Sequence, residues 1–318
     1  MSWSLGDIPS LGGTTALVTG ANSGLGKTVA RELGAAGAHV VLACRSPERG
    51  ALALDELSVS EPAGSFELLE LDLGSLDSVA RAASAFVGSH ERLDLLVNNA
   101  GVMIPPYRLT EDGFELQFGT NHLGHFALTR ALLPLLLASP GSRVVSVTSG
   151  AHHFGRIAFS DLHGEQNYDR WQAYGQSKLA NTMFALALQE RLHRQGSGTL
   201  SLAAHPGLAR TQLQPTSIAA NGQRIEALAY RLMDPLFQSA AEGALPQLQA
   251  ATAEGMEGGS LRAPGGLGEM RGSPGRGRLP AAALRQADRE RLWQISEELC
   301  AVGTGSGEAS GLQGHASG

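Results

Sequence analysis

The 318-residue sequence predicts an α/β fold in which helices cover both faces of a parallel β-sheet. Short, continuous apolar runs alternate with stretches of helical periodicity, which is typical of strands that are buried on both faces. A glycine-rich loop directly after the first apolar run suits this fold, and 42% hydrophobic residues suffice for a sizeable core. Right-handed crossovers between such strands give a doubly wound sheet of the Rossmann type.

The first elements follow in chain order from the apolar runs and from helix start and stop signals. Residues 15–19 are predicted to form a buried first strand that leads into the glycine loop. A helix is predicted over 27–36, where Gly37 stops it. A second strand follows at 39–43, and Pro47 suits the first turn of the next helix.

The middle of the chain continues the alternation of strands and helices. A third strand at 66–71 precedes a surface helix whose apolar residues recur along one face from 76 to 87. The fourth strand is predicted at 93–97. A long helix is predicted within 110–138, and Pro134 is expected to bend or end it.

Two more strands complete the predicted sheet. The fifth is predicted at 143–148 and the sixth at 200–204, with a helix over 171–194 between them. Composition does not change sharply along this part of the chain. We therefore predict a single domain over 13–302, preceded by an N-terminal segment at 1–12.

The chain beyond Gly258 differs in composition, since it is rich in Gly, Pro and Arg. Within 258–302 we expect an irregular edge with a seventh strand near Ser260 and then a helix around 287–299. Residues 303–318 are almost all small or polar and are expected to be a disordered tail.

Composition excludes several classes of function. A net charge of -6 and a pI of about 5.9 favour neither nucleic acid nor an anionic membrane as a partner. The longest aliphatic run, 131–138, is too short for a membrane span, and the N-terminal residues do not form a secretory signal, so we expect no membrane anchor and a cytoplasmic protein. A monomer and a homo-oligomer are both compatible with the sequence.

No metal site is predicted from the sequence. Cys44 and Cys300 form neither a disulfide framework nor a ligand cluster. His152 and His153 are adjacent, and neighbouring positions rarely chelate one ion, so we interpret them as a satisfied or exposed pair.

The most informative motif is the pair Tyr174 and Lys178. Residues four apart lie on the same face of a helix. An ammonium there can stabilise a phenolate and lower the pKa of the phenol, which suits a proton donor that works near neutral pH. With a dinucleotide at the glycine loop, the pair predicts hydride transfer to a carbonyl with Tyr174 as the acid; a surface aromatic is the alternative for Tyr174.

The glycine loop has the pattern Gly20-x-x-x-Gly24-x-Gly26, between a predicted strand and a predicted helix. Without side chains, the backbone can approach a pyrophosphate, and the helix N-terminus offers free N–H groups to the anion. A tight turn without a ligand is the alternative interpretation.

The tip of the second strand indicates the type of nicotinamide cofactor. An acidic residue there would accept hydrogen bonds from a ribose 2′-hydroxyl, but none lies between Ala38 and Pro47. Arg45 occupies about that place and suits a 2′-phosphate. We therefore predict NADP(H), with a solvated surface charge as the alternative role of Arg45.

Polar residues at other strand ends add candidates for the same site. Asp72 and Leu73 are placed to flank an adenine ring, and the run from Asn98 to Gly101 can tie strand ends together and leave room for a ribose. Plain strand-to-loop turns remain the alternative for both motifs.

Two further polar residues are candidates for catalysis. Asn121 lies within a helical pattern and could face the site and hold a water, or it could be an exposed helix residue. Ser149 follows the fifth strand, where ligands collect in parallel sheets, and its hydroxyl can donate to a substrate carbonyl. Ser146 and Thr148 are the alternatives to Ser149.

These motifs, in this order, resemble the short-chain dehydrogenase/reductase family over roughly residues 13–255. The resemblance rests on the Thr19–Gly26 loop, Asn98-Asn-Ala-Gly101, Ser149, Tyr174-x-x-x-Lys178, and Pro206-Gly207 with Thr211 beyond. Several stretches resemble the retinol dehydrogenase and protochlorophyllide reductase-like branch. They are Leu42-Ala-Cys-Arg45, Thr120-Asn-His-Leu-Gly-His-Phe126, Tyr174-Gly-Gln-Ser-Lys-Leu-Ala-Asn181 and His205-Pro-Gly207.

The resemblance implies a role for each of these residues. Tyr174 would donate the proton, Lys178 would lower its pKa and hold the nicotinamide ribose, Ser149 would orient the carbonyl, and Asn121 would carry a water in a proton relay. Thr211 would meet the nicotinamide carboxamide. The implied cofactor site consists of Gly20, Asn22, Ser23, Gly24, Leu25, Gly26, Arg45, Asp72, Leu73, Asn98, Ala100, Gly101, Tyr174, Lys178, Pro206, Gly207 and Thr211.

The predicted substrate is a bulky hydrophobic ketone, aldehyde or alcohol. The segment 151–170 carries apolar residues that could form a pocket, and 211–237 could cover it as a lid. The pocket residues would be His152, His153, Phe154, Ile157, Phe159, Leu162, Met103, Ile104 and Tyr107. Two alternatives remain open: a non-catalytic NADP(H) sensor that keeps the fold, and a reductase of an activated C=C bond that uses Tyr174 as proton donor to carbon.

Overall fold

The computed structural model describes residues 2–61, 63–208 and 238–303. Within these residues, eight strands form one sheet in the order β3-β2-β1-β4-β5-β6-β7-β8. The strands are β1 (Thr15–Thr19), β2 (His39–Cys44), β3 (Ser65–Glu70), β4 (Leu95–Asn98), β5 (Arg143–Val147), β6 (Leu200–Ala204), β7 (Leu261–Pro264) and β8 (Pro274–Arg276). All neighbours are parallel except β7 and β8, so the doubly wound sheet is confirmed.

Helices cover both faces of the sheet, as predicted. They are α1 (Gly24–Ala35), α2 (Pro47–Ser60), α3 (Leu76–Ser89), α4 (Leu116–Phe118), α5 (Gly124–Ala138), α6 (Arg170–Arg194), α7 (Ala240–Thr252), α8 (Ala281–Leu284) and α9 (Gln286–Gly303). One apolar cluster packs α1 and α7 against the sheet, and another packs α3, α5, α6 and α9 against the opposite face. Among the described residues, no helix has both the length and the apolar character needed to cross a membrane.

The long helix predicted within 110–138 begins only at Leu116, because the preceding residues form a turn with other partners. Thr110 bonds to Phe114 through its backbone N–H, 2.7 Å, and its hydroxyl accepts the Phe114 N–H. The Asp112 carboxylate accepts the Leu76 N–H at the start of α3, 2.9 Å. Pro134 does not end the helix, since α5 continues beyond it to Ala138.

The chain beyond Gly258 is more regular than predicted. The strand expected near Ser260 is β7, but it is not the edge of the sheet, because β8 pairs with it in antiparallel orientation. The predicted C-terminal helix is α9. The predicted disordered tail lies outside the described residues, apart from Gly303 at the end of α9.

The order of the strands fixes where a ligand can bind. Chain order reverses between β1 and β4, which lie side by side at the centre of the sheet. In doubly wound sheets, the crevice outside the carboxyl ends of the strands at such a reversal is the usual ligand site. The residues that follow β1, β4, β5 and β6 therefore share one edge of the sheet.

Candidate active site

The glycine loop after β1 has the geometry of a phosphate-binding turn. Gly20 has a φ of +66°, and a Cβ on Gly26 would lie 2.4 Å from the Gly20 carbonyl oxygen, so only glycine fits there. At Gly24 a Cβ would meet nothing within 4 Å. Ser23 precedes α1 without a side-chain cap, which leaves the N–H groups of the first turn to an anion. Asn22 and Ser23 are half-buried and Leu25 is buried beside them.

Thr19 ties this loop to the residues that follow β4. Its Oγ1 accepts the N–H groups of Asn99 and Ala100, both at 2.9 Å, and the Asn99 amide donates to the Thr19 carbonyl at 2.9 Å. The Asn98 amide donates to Thr129 on α5, 2.9 Å, and its buried Oδ1 has no partner among the described residues. The asparagines thus tie strand ends together, as expected from the sequence.

Asn121 lies in a π-helical turn, Gly119–Leu123, between α4 and α5. Its Oδ1 accepts the Val102 N–H at 2.8 Å, and its Nδ2 donates to the Val102 carbonyl and to Ser177 Oγ. Both amide hydrogens are therefore used within the protein. This side chain fixes the shape of the segment after β4, which is more than the water-holding role expected from the sequence. Such π-helical turns are frequent at functional sites.

His125 connects Asn121 with the glycine loop. Its Nδ1 lies 2.9 Å from the Asn121 carbonyl oxygen, which can only accept, so Nδ1 carries the proton. Its Nε2 then accepts from Thr19 Oγ1 at 2.8 Å. Burial lowers the pKa of His125 to about 4, which keeps this ring neutral. The chain Asn121–His125–Thr19 holds the two halves of the site in register.

Lys178 is a buried cation at the carboxyl end of β5. Its Nζ donates to the Val147 carbonyl at 3.3 Å, and it lies 3.5 Å from the position of a Cβ on Gly101. Burial lowers the pKa of Lys178 to about 8, because the interior disfavours its charge. An ammonium has three donors, and within the described residues this bond is the one we find for them. The others suit the hydroxyls of a ribose.

Tyr174 lies one helical turn before Lys178, as the spacing predicts. Lys178 Nζ is 5.8 Å from the centre of the Tyr174 ring, and the ring is buried against Ile104 and Ala151. Ile104 has a φ of +53°, which costs a β-branched residue about 1–3 kcal/mol. Gln117 Oε1 accepts the Ile104 N–H at 2.8 Å and supports this strained residue beside the tyrosine.

Ser149 follows β5 at the edge of the sheet that carries Tyr174. It is half-buried, and its Oγ accepts the Ala151 N–H at 3.3 Å at the start of a 3-10 turn. Ser146 and Thr148, the alternatives, are buried, and Thr148 Oγ1 donates to the Lys178 carbonyl at 2.7 Å. Of the three hydroxyls, that of Ser149 is the one open toward a ligand.

Arg45 and Asp72 follow β2 and β3 on the far side of the glycine loop. Arg45 is exposed and makes no ion pair among the described residues, so its guanidinium is available to an anion. One oxygen of Asp72 accepts the Gly74 N–H at 2.9 Å. The Leu73 side chain is buried in the core between sheet and helices, which leaves its backbone for a ligand.

The turn after β6 also reaches this edge. Gly207 has a φ of +68°, and a Cβ on it would lie 2.4 Å from the Met270 carbonyl oxygen. Gln238 fixes the turn, since its amide donates to the Pro206 carbonyl at 2.6 Å. Thr211 and the lid expected over 211–237 lie outside the described residues.

The apolar residues expected to form one pocket are divided between two places. Met103 and Ile104 pack at Tyr174, in agreement with the expectation. Ile157, Phe159 and Leu162 instead pack into a core cluster with α6, away from this position. The remaining members are not all apolar contacts, because His152 is fully buried with its ring bonded to Thr182, whereas Phe154 and Tyr107 are exposed.

Sequence reasoning missed three residues that shape the site: His125, Gln117 and Ser177. Each acts through a hydrogen bond to a residue distant in sequence or to a backbone group, which spacing alone does not reveal. A signal existed for His125, since a histidine four residues after Asn121 faces the same side of a helix.

Comparison with known proteins agrees with this geometry. The sequence profile of the family described as "short chain dehydrogenase" matches residues 14–221. Retinol dehydrogenase 12 of Homo sapiens is 41% identical over 292 residues, which cover 92% of this chain and 88% of that protein. A family match of this extent makes the chain an oxidoreductase that uses a nicotinamide cofactor on alcohols or carbonyl compounds.

Solved structures give the same assignment. A crystal structure of an uncharacterised protein from Mycobacterium paratuberculosis has a TM-score of 0.78 and 40% identity, covering 95% of this chain and 98% of its own. The RhlG/NADP active-site complex of Pseudomonas aeruginosa has a TM-score of 0.62 and 28% identity, covering 79% and 94%. The chain therefore belongs to the short-chain dehydrogenase/reductase family, on its retinol dehydrogenase-like branch.

Proposed function

We propose that this protein reduces the carbonyl group of a bulky apolar aldehyde or ketone with NADPH, or oxidises the corresponding alcohol with NADP⁺. The observation that carries the proposal is the buried Lys178 ammonium beside the Tyr174 ring, at the carboxyl ends of β4 and β5. A charge in such a place costs free energy unless a partner uses it. A phenolate and a ribose are the partners that this geometry offers.

The protein's own residues supply proton transfer and orientation. Tyr174 donates its hydroxyl proton to the carbonyl oxygen as negative charge develops there, and Lys178 stabilises the phenolate that remains. Ser149 donates a hydrogen bond that orients the same oxygen. The bound nicotinamide supplies the hydride. In oxidation the same groups act in reverse, with Tyr174 as the base.

The residues of the glycine loop fit the pyrophosphate of a dinucleotide. Backbone N–H groups at the start of α1 can bind its oxygens, and the open space at Gly24 admits the ligand. Lys178 Nζ can donate to the nicotinamide ribose, and Asn98, Ala100 and Gly101 lie on the way to it.

Arg45 supports NADP(H) over NAD(H). It is exposed at the end of β2, and no carboxylate stands in its place to accept a 2′-hydroxyl. Arg45→Ala is expected to lower kcat/KM for NADPH about 10- to 100-fold and to leave that for NADH nearly unchanged, since a charge-assisted hydrogen bond contributes about 1.5–3 kcal/mol. Initial rates with both coenzymes measure this. Arg81→Ala, an exposed arginine on α3, is the control, and a wild-type preference for NADH would overturn the assignment.

The apolar surface at Tyr174 supports a bulky hydrophobic substrate. Met103, Ile104 and Ala151 are its neighbours, and related proteins carry the name retinol dehydrogenase. In a panel read by NADPH oxidation, we expect retinal, long-chain aldehydes and aromatic ketones to exceed small 2-oxo acids in kcat/KM by at least about tenfold. Better turnover of small charged compounds would contradict the proposal. Product analysis separates carbonyl from C=C reduction.

A further inference from the structure

A second polar cluster lies at the opposite edge of the sheet, at the amino ends of β2 and β3. His39 opens β2, Glu67 lies on β3 two residues beyond the partner of His39, and His90 follows α3. All three side chains are partly buried and remain accessible to solvent. The oxidoreductase chemistry at the carboxyl edge does not use them.

The ligand atoms of the three residues converge on one point. His39 Nε2 lies 3.5 Å from His90 Nε2, and the Glu67 carboxylate oxygens lie 3.2 Å from His90 Nε2 and 3.6 Å from His39 Nε2. Two ligands of a tetrahedral zinc ion, each about 2.0–2.1 Å from the metal, are separated by about 3.3 Å. The triangle therefore has nearly the size that one zinc ion requires.

The opposite nitrogens of both rings are held by hydrogen bonds that suit metal ligation. His39 Nδ1 lies 2.7 Å from Ser65 Oγ. His90 Nδ1 lies 3.2 Å from the Phe86 carbonyl oxygen, which can only accept, so Nδ1 carries the proton and Nε2 presents its lone pair. Histidines that bind metals are oriented in this way by their second nitrogen. The Phe86 ring stacks on His90 at 4.2 Å and fixes its plane.

We propose that His39, Glu67 and His90 form a binding site for a divalent transition metal, with zinc as the ion that fits best. Two imidazoles favour zinc, nickel or copper over magnesium and calcium, which prefer oxygen ligands. Three protein ligands leave the fourth position to water. The site joins two strands to the end of α3, and a metal there stabilises the folded chain because it binds that state.

Binding of ZnCl₂ to tag-free protein tests the site, with titration calorimetry and metal analysis after gel filtration. We expect one strongly bound Zn²⁺ per chain and a rise in Tm of about 5 °C at 100 times Kd. His90→Ala and Glu67→Gln are expected to weaken binding at least 100-fold, and Ser65→Ala about tenfold or more. His193→Ala, an exposed histidine at the end of α6, is the control and should bind as the wild type does.

The outcomes are distinguishable from loss of folding and from loss of activity. Each variant is first compared with wild type by its Tm in EDTA, and Glu67→Gln keeps the shape of the side chain if His90→Ala unfolds. Loss of zinc binding with unchanged Tm in EDTA supports the proposal. Equal zinc binding by wild type and by a His39→Ala/His90→Ala variant, or none by wild type, overturns it and leaves an ion-pair cluster only.

Discussion

Tyr174→Phe is expected to lower kcat by about 10²- to 10⁴-fold and to leave cofactor affinity within a few-fold of wild type. The phenylalanine keeps the ring that packs against Ile104 and Ala151, so the site keeps its shape. It removes only the proton that the carbonyl oxygen needs. Steady-state rates with NADPH and a carbonyl substrate measure the loss, and fluorescence titration with NADPH measures the affinity.

Tyr107→Phe is the matched control for this prediction. Tyr107 is exposed after the same loop and contacts Tyr168 ring to edge. It should keep its turnover within about threefold, because removal of an exposed hydroxyl away from reacting atoms changes little. Retention of most of the wild-type rate by Tyr174→Phe would show that another group donates the proton.

Lys178→Met is expected to abolish most of the activity and to stabilise the protein in the absence of cofactor. Burial lowers the pKa of Lys178 from 10.5 to about 8, so its charged form is disfavoured in the folded state. Each pKa unit corresponds to about 1.4 kcal/mol, which gives a destabilisation of order 3 kcal/mol. Methionine fills the same space without a charge. Thermal unfolding of both proteins at pH 7 measures the gain.

The pH dependence identifies the cause of that gain. Below pH 8 the lysine is protonated in both states, and the wild type carries the whole penalty. Between pH 8 and 10.5 the unfolded chain binds more protons than the folded one, so wild-type stability rises with pH relative to Lys178→Met. A variant that is less stable than wild type at pH 7, or a difference that does not shrink toward pH 10.5, would contradict this explanation.

The opposite signs of these effects would mark Lys178 as a functional residue. A lysine kept for structure should destabilise the protein when it is replaced. A residue that lowers stability and raises activity is expected where a site stores an unsatisfied charge for its ligand.

The sheet could be predicted from the sequence because its strands are buried on both faces. Continuous apolar runs such as Thr15–Thr19 and Leu200–Ala204 have no other common explanation, and the structure confirms their bounds. The helix before Gly124 was harder, since its first turn competes with hydrogen bonds from Thr110 and is followed by a π-helical turn. Local periodicity does not contain such partners.

The candidate site divides in the same way. Tyr174 and Lys178 lie on one helix, so their spacing alone placed them together. The link from His125 to Thr19 crosses 106 residues, and the cluster of His39 and His90 crosses 51. Both depend on the register of the sheet and on where α3 ends, which the sequence pattern does not specify.

The most direct test is a crystal structure of the protein with NADP⁺ and a substrate alcohol or inhibitor. We expect the nicotinamide at the carboxyl ends of β4 and β5, with the Tyr174 hydroxyl about 2.6–3.2 Å from the reacting oxygen and Lys178 bonded to the ribose. A nicotinamide bound away from Tyr174, or a dinucleotide absent from the glycine loop at saturating concentration, would contradict the proposed site and its redox chemistry.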